Sequence, residues 1–201
     1  MTPRAERISS RAEFARKGIH LTGGLVVLLL YGRGADRDRT GIVLLLGLAV
    51  TCAAGIEWAR RASPRVNIAF ERAVGSMLRP RERRAMTGAT WLALTALATT
   101  AFLREQPALC TLWCIMVADP AATLVGCSRG GRAEADDGKS VIGSAAFFTT
   151  AFVGAYLVAG VGVPAALAVA AVAGLAERFP GPLDDNFTVG VATAVCSTVV
   201  A

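Results

Sequence analysis

Asp119 opens the run Asp119-Pro120-Ala121-Ala122-Thr123-Leu124-Val125-Gly126, at the end of a membrane-length apolar segment. A polar loop follows and ends in Gly138-Lys139-Ser140-Val141-Ile142-Gly143-Ser144. Glu177 and then Asp184-Asp185-Asn186 stand against later apolar sequence. Ionisable groups beside hydrocarbon are expensive and mark a functional site by default. Carboxylates, a lysine and glycine-rich turns together suit a metal–nucleotide site at a membrane surface. Asp119, inside its apolar segment, needs a cation, a hydrogen-bond partner or a proton. Mg²⁺ would supply the first, since it favours oxygen ligands and nucleotide phosphates; an arginine from a neighbouring helix would also serve. Pro120 loosens the local helix and frees backbone groups to line a polar cavity.

The other clusters each have a chemical and a plain reading. Glycines before Lys139 let backbone amides approach an anion, and a helix starting near Lys139 points its N-terminus at phosphate. This is not a Walker loop, because Ala133 stands where the first glycine is required. The plain alternative is a loop with a helix cap at Ser140. Asp184, Asp185 and Asn186 follow the rigid turn Pro180-Gly181-Pro182 and either cap the last helix or join Glu177 and Asp119 in a divalent-metal cage. Glu13, Arg16, Lys17 and His20 share one helix face by their spacing. They form either a phosphate or proton-relay site around the single histidine, or a snorkelling basic collar. Glu57, Asn67 and Glu82 are weaker polar candidates.

These residues need rigid elements to position them, and the composition supplies helices in a bilayer. Of 201 residues, 54% are hydrophobic and 18% charged, against about 25% charged in soluble domains. The mean hydropathy is +0.51. The pattern reads as an all-α, polytopic membrane bundle forming a single domain over 1–201. About seven transmembrane segments are expected: Gly18–Tyr31, Gly41–Ala59, Thr87–Leu103, Ala108–Cys127, Val141–Val163, Ala165–Ala176 and 187–201. Residues 1–17 carry a capping box at Ser10 and Glu13 that starts a helix. The 60–86 segment carries an apolar stripe of Val66, Phe70, Ala73, Val74 and Met77, suited to a surface or connecting helix.

With the N-terminus in the cytoplasm, seventeen of the twenty-one Lys and Arg fall on the cytoplasmic side. That orientation also puts Lys139, Glu177 and Asp184-Asp185-Asn186 where nucleotides are. The formal charge of +6 is therefore a topology signal, and nucleic acid is not an expected partner. The five cysteines lack zinc or redox spacing and read as small apolar residues.

The ordered set Glu13-x-x-Arg16-Lys17-x-x-His20, Asp119-Pro120-x-Ala122, Lys139-Ser140-x-x-Gly143-Ser144, Glu177 and Asp184-Asp185-Asn186 resembles the CTP-dependent lipid kinases. That family includes dolichol kinase, phytol kinase and the yeast-type diacylglycerol kinase. The resemblance spans the chain from about Glu13 onward. It implies transfer of the γ-phosphate of CTP to the hydroxyl of a lipid alcohol (phytol, a polyprenol or diacylglycerol), with Mg²⁺, at the cytoplasmic face. In that reading Asp119, Asp184 and Asp185, with Glu177 beside them, serve Mg²⁺ and its phosphates, and one aspartate is the base. Lys139, with Gly126 and Gly143, holds the triphosphate, and Ser140 and Asn186 orient it. Arg16, Lys17 and His20 bind phosphate or the lipid head. A cytidylyltransferase making a CDP-lipid, and an ion-coupled transporter using Asp119, are the competing expectations.

Overall fold

The computed structural model describes residues 10–34, 39–128, 139–179 and 183–200, and all regular elements among them are helical. The elements are α1 (Ser10–Gly34), α2 (Arg39–Ala62), α3 (Pro64–Val74), α4 (Gly88–Phe102), α5 (Glu105–Trp113), α6 (Asp119–Ser128), α7 (Val141–Val153), α8 (Val163–Arg178) and α9 (Asp185–Val200). A π-helical turn, Cys114–Ala118, fuses α5 to α6, and a second, Gly154–Val158, extends α7. Four runs are long and apolar enough to cross a membrane: Arg11–Gly32, Arg39–Ala62, Glu105–Ser128 and Val141–Val158. Gly88–Phe102 and Asp185–Val200 are apolar but shorter.

Most boundaries follow local chemistry. The first helix runs past the expected Gly18–Tyr31 at both ends and begins at Ser10. The expected Val141–Val163 segment breaks at its far end. Gly160 takes φ +71°, a left-handed conformation that favours glycine, and α8 restarts with a proline in its first turn. The last helix begins at Asp185 rather than Phe187, because the Asp184 carboxylate accepts the Asn186 N–H at 3.0 Å in the manner of an N-cap. Within the 60–86 segment the helix stops at Val74 and gives way to short 3₁₀ turns at Gly75–Met77 and Pro80–Arg83. The loop 129–138, the Pro180-Gly181-Pro182 turn and residues 1–9 lie outside the described residues.

The core is the α5–π–α6 run, held by α7 and α9, with α8 packed across both. Ala108, Leu112, Ile115, Ala118, Phe147 and Ala170 are fully enclosed there. Small side chains let the backbones approach closely. A Cβ on Gly143 would lie 2.9 Å from the Ala122 carbonyl oxygen, so α7 sits against α6 only because that position is bare. Arg39, at the start of α2, donates to the carbonyls of Thr100, Ala101 and Leu103 at 2.8–2.9 Å. The start of α2 and the end of α4 thus lie at one end of the bundle. The candidate site residues gather at the other.

Candidate functional site

Residues separated by up to about half the chain meet in one polar layer. On α1, Arg16 donates to Glu13 at 2.6 Å, and Lys17 donates to the Asp119 carboxylate. Both partners of the Lys17–Asp119 pair are buried. The Nε2–H of His20 donates to the Ile115 carbonyl at 2.9 Å, which leaves Nδ1 3.8 Å from Asp119 Oδ2.

The chain itself explains why that carbonyl is available. In the π turn the Asp119 N–H goes to the Cys114 carbonyl, and the next residue, Pro120, has no N–H. The Ile115 carbonyl therefore lacks both its ordinary helical partners, and His20 satisfies it. The proline beside Asp119 thus fixes the ring of a histidine about a hundred residues earlier. π turns of this kind recur at functional sites.

A second group adjoins the first. Lys139 donates to the Glu177 carbonyl oxygen and lies 3.3 Å from the Glu177 carboxylate and 3.5 Å from Asp185. Ser144 donates to Glu177 at 3.2 Å, and Arg178 donates to the Lys139 carbonyl at 2.5 Å. Arg79 bridges the two groups, 3.5 Å from Asp185 and 3.9 Å from Glu13. Burial alone would lower its pKa, but Asp185 and Glu13 outweigh that and hold it above the ordinary arginine value. Arg81 lies 3.1 Å from Asp184, whose other oxygen receives the Asn186 side-chain amide at 2.8 Å.

The expected residues group by what they touch. Lys17, His20 and Asp119 form one connected set and Lys139, Glu177 and Asp185 another, while Arg16 pairs with Glu13, which Arg79 links to Asp185. Ser140 is occupied as the cap of α7, accepting the Gly143 N–H at 3.0 Å. Gly126 and Gly143 flank that cap, where an added Cβ would crowd Ser140 Oγ at 2.9 and 3.1 Å. The four carboxylates do not form one cage. Among the described residues no three His, Cys, Asp or Glu side chains gather as a metal-holding group. Basic side chains separate them: Lys17 on Asp119, Lys139 on Glu177, Arg81 on Asp184, and Arg79 with Lys139 on Asp185.

Three side chains outside the main candidates build the roof. The Glu57 carboxylate accepts the Thr87 N–H at 2.8 Å and pairs with Arg60. Arg60 also donates to the carbonyls of Glu82, Arg83 and Ala85, and its guanidinium lies 5.2 Å from the centre of the Phe70 ring. One buried arginine thus folds the 75–85 segment over the polar layer. Glu82 receives the N–H groups of Arg79 and Gly88 at 2.7 and 2.8 Å. The arginines at 79 and 81 carry no local motif, and the sequence signal available for them was the run of basic residues around Pro80.

Below this layer lies a cavity of about 530 Å³. Arg16, Lys17, His20, Arg79, Asp119 and Asp185 line its charged end. Val27, Leu46, Leu92, Ala96 and Met116 line the rest. By helical rise, from His20 to Val27 on α1 and from Glu57 to Leu46 on α2, it is about 10–16 Å deep. That is close to one leaflet, half of a ~30 Å hydrocarbon core. Asn186 also lines the cavity, and its buried Oδ1 has no hydrogen-bond partner among the described residues. Asp119, Asp185 and this free amide oxygen face one space and are hard oxygen donors of the kind Mg²⁺ takes alongside phosphates and water. No family model, curated protein or solved structure matches the chain.

Proposed function

We propose that the chain is a membrane kinase that transfers the γ-phosphate of CTP to the hydroxyl of a lipid alcohol. The observation that supports this best is the cavity: one chamber, charged at one end and hydrocarbon over the remainder, with Asp119 and Lys17 at the charged end. An amphiphile with a reactive head and an apolar body matches that order of walls. A proton or ion pathway calls for polar groups through the depth of the bundle, whereas the deep walls here are apolar.

The proposal includes seven membrane passes with the N-terminus in the cytoplasm. Its support is the gathering of the start of α1, the 60–87 segment, Lys139, Arg178 and Asp185 around one polar layer, on the side that carries the basic excess. The nucleotide then approaches from the cytoplasm and the alcohol from the bilayer.

Phosphoryl transfer depends mainly on positioning and charge neutralisation. Asp185 and the Asn186 amide oxygen would hold Mg²⁺ alongside the phosphates, and the ion would supply part of that neutralisation. Lys17, Arg79 and Lys139, now paired with carboxylates, exchange those partners for phosphate oxygens. Arg16 brings a further donor, because its buried Nε has no partner among the described residues. Asp119 stands where charged wall meets apolar wall, and there it receives the alcohol hydroxyl. The alcohol oxygen forms the new bond to the γ-phosphorus and the bond to the β–γ bridging oxygen breaks. CDP leaves, and the hydroxyl proton passes to Asp119.

The test is a transfer assay on purified protein in lipid micelles with γ-labelled CTP and Mg²⁺, offering phytol, a polyprenol and diacylglycerol separately. Label is expected in a lipid product, with a loss of about 10²–10⁴-fold in Asp119→Ala. Pyrophosphate release with a CDP-lipid would move the chain to nucleotidyl transfer. Absence of both, from folded protein that binds no CTP, rejects the nucleotide reading.

A further inference from the structure

Two adjacent glycines on α1 serve opposite purposes. A Cβ on Gly24 would lie 2.6 Å from the Met116 Cβ and 3.1 Å from the Met116 carbonyl, so α1 reaches the π turn only through a bare backbone. A Cβ on Gly23 would meet nothing within 4 Å. Gly23 is exposed, yet it lines the cavity. So do Ile19, one turn toward the charged end, and Ile56 on α2, which are 64% and 51% exposed. Residues that are both cavity wall and outer surface mark an opening, and this one lies between α1 and α2. The outward faces beside it are hydrocarbon, including Leu25, Leu29, Leu45 and Leu48. The far end of the cavity is closed by the buried Leu46 and Ala96.

We infer that this side opening admits one hydrocarbon chain from the bilayer, with its hydroxyl at the charged end, and that Gly23 gauges the chain that fits. Calling that occupant the phosphate acceptor rests on the kinase reading; the slot itself does not. The choice of a single chain follows from size and shape. A volume of 530 Å³ lies within the ~300–1,000 Å³ of pockets that enclose one drug-sized molecule. At that volume and depth the second chain of a diacylglycerol would have to remain in the bilayer. Polarity complements such an occupant, because the walls change from charged to apolar along the direction in which a fatty alcohol changes. Gly23 is thus a specificity-determining position, contributing the space its missing side chain leaves.

The test uses the full chain in nanodiscs and a diazirine-bearing phytol analogue, with crosslinked peptides mapped after illumination. Labelling is expected on the cavity-facing stretches of α1 and α2, competed by unlabelled phytol and far less by diacylglycerol. Gly23→Leu should lower it about tenfold or more, the equivalent of overpacking the slot. Gly47→Leu is the internal control. Gly47 is also open to an added Cβ but lies off the cavity, so labelling should be unchanged. If Gly23→Leu does not fold, Ala53→Leu fills the same space from the facing wall and should give the same loss. Undiminished labelling in the folded variant, label spread over the outward faces, or equal competition by diacylglycerol would overturn the inference. Labelling that follows the expected pattern while CTP transfers no phosphate would sustain the slot and defeat the kinase reading.

Discussion

The α5–π–α6 run and the α1–α2 pair are made of much the same apolar residues but are packed in contrasting ways. Within their most apolar stretches, 67% of the residues are buried in Glu105–Ser128, against 22% in the first helix and 17% in the second. The central run is enclosed by α7 and α9, with α1 along a further side, and it carries Asp119 at a fixed point beside Pro120. The outer pair leaves a chamber on its inner side and offers leucine and valine to the surroundings. Close packing fixes a reacting group, and loose packing leaves room for a substrate. On the kinase proposal these two tasks fall to separate helices, joined by the Lys17–Asp119 pair.

That joint is where the comparison is most easily broken. Lys17 and Asp119 are 4% and 8% exposed, so removing one leaves the other buried and uncompensated. Lys17→Met should cost about 3–5 kcal/mol of stability in detergent unfolding. Lys17→Met with Asp119→Leu should recover most of that, since no unpaired charge remains. Equal losses in the single and double variants would mean that Lys17 holds α1 by packing alone.

Much of this arrangement was legible in the sequence, for physical reasons that differ from element to element. Apolar length announces a helix, so α4 ends within a residue of its expected limits at both ends. The spacing of Glu13, Arg16, Lys17 and His20 put them on one face because helical period alone decides that. The pairing across the chain was not legible. Arg79 and Arg81 read as part of a basic loop that sets topology, yet they sit on Asp185 and Asp184, more than a hundred residues away. Nothing local distinguishes a snorkelling arginine from one aimed at a carboxylate. The π turns were equally hidden, because Cys-Ile-Met-Val-Ala fits an α-helix as well; Pro120 was the visible clue. The apolar stripe expected over the 60–86 segment divides between two surroundings. Phe70, Val74 and Met77 face the cavity, while Val66 and Ala73 are exposed.

The packing contrast can be sharpened with two substitutions of similar size change. Ala118 is wholly enclosed in the π turn. Ala118→Leu should destabilise by about 1–3 kcal/mol and displace Asp119 with it, lowering activity too. Leu48 on α2 is 62% exposed. Leu48→Ala should change stability by no more than about 0.5 kcal/mol. Comparable costs at both sites would show that α2 is as tightly held as the core, and the chamber would then need another source of its openness.

A small effect is also expected within the roof, where one segment holds both kinds of arginine. Arg60 is buried, takes four partners and pins the 75–85 backbone, whereas Arg83 faces Glu71 at 3.4 Å with both side chains a third or more exposed. An exposed pair gains little Coulomb energy, holds two long side chains in one geometry and is screened by salt. Arg83→Ala should therefore lower stability by under about 1 kcal/mol, less still at high salt, and leave lipid labelling unchanged. A loss approaching that of Lys17→Met would mean that the roof is held from its outer rim. Arg60 would then be a follower of the fold rather than its fastening.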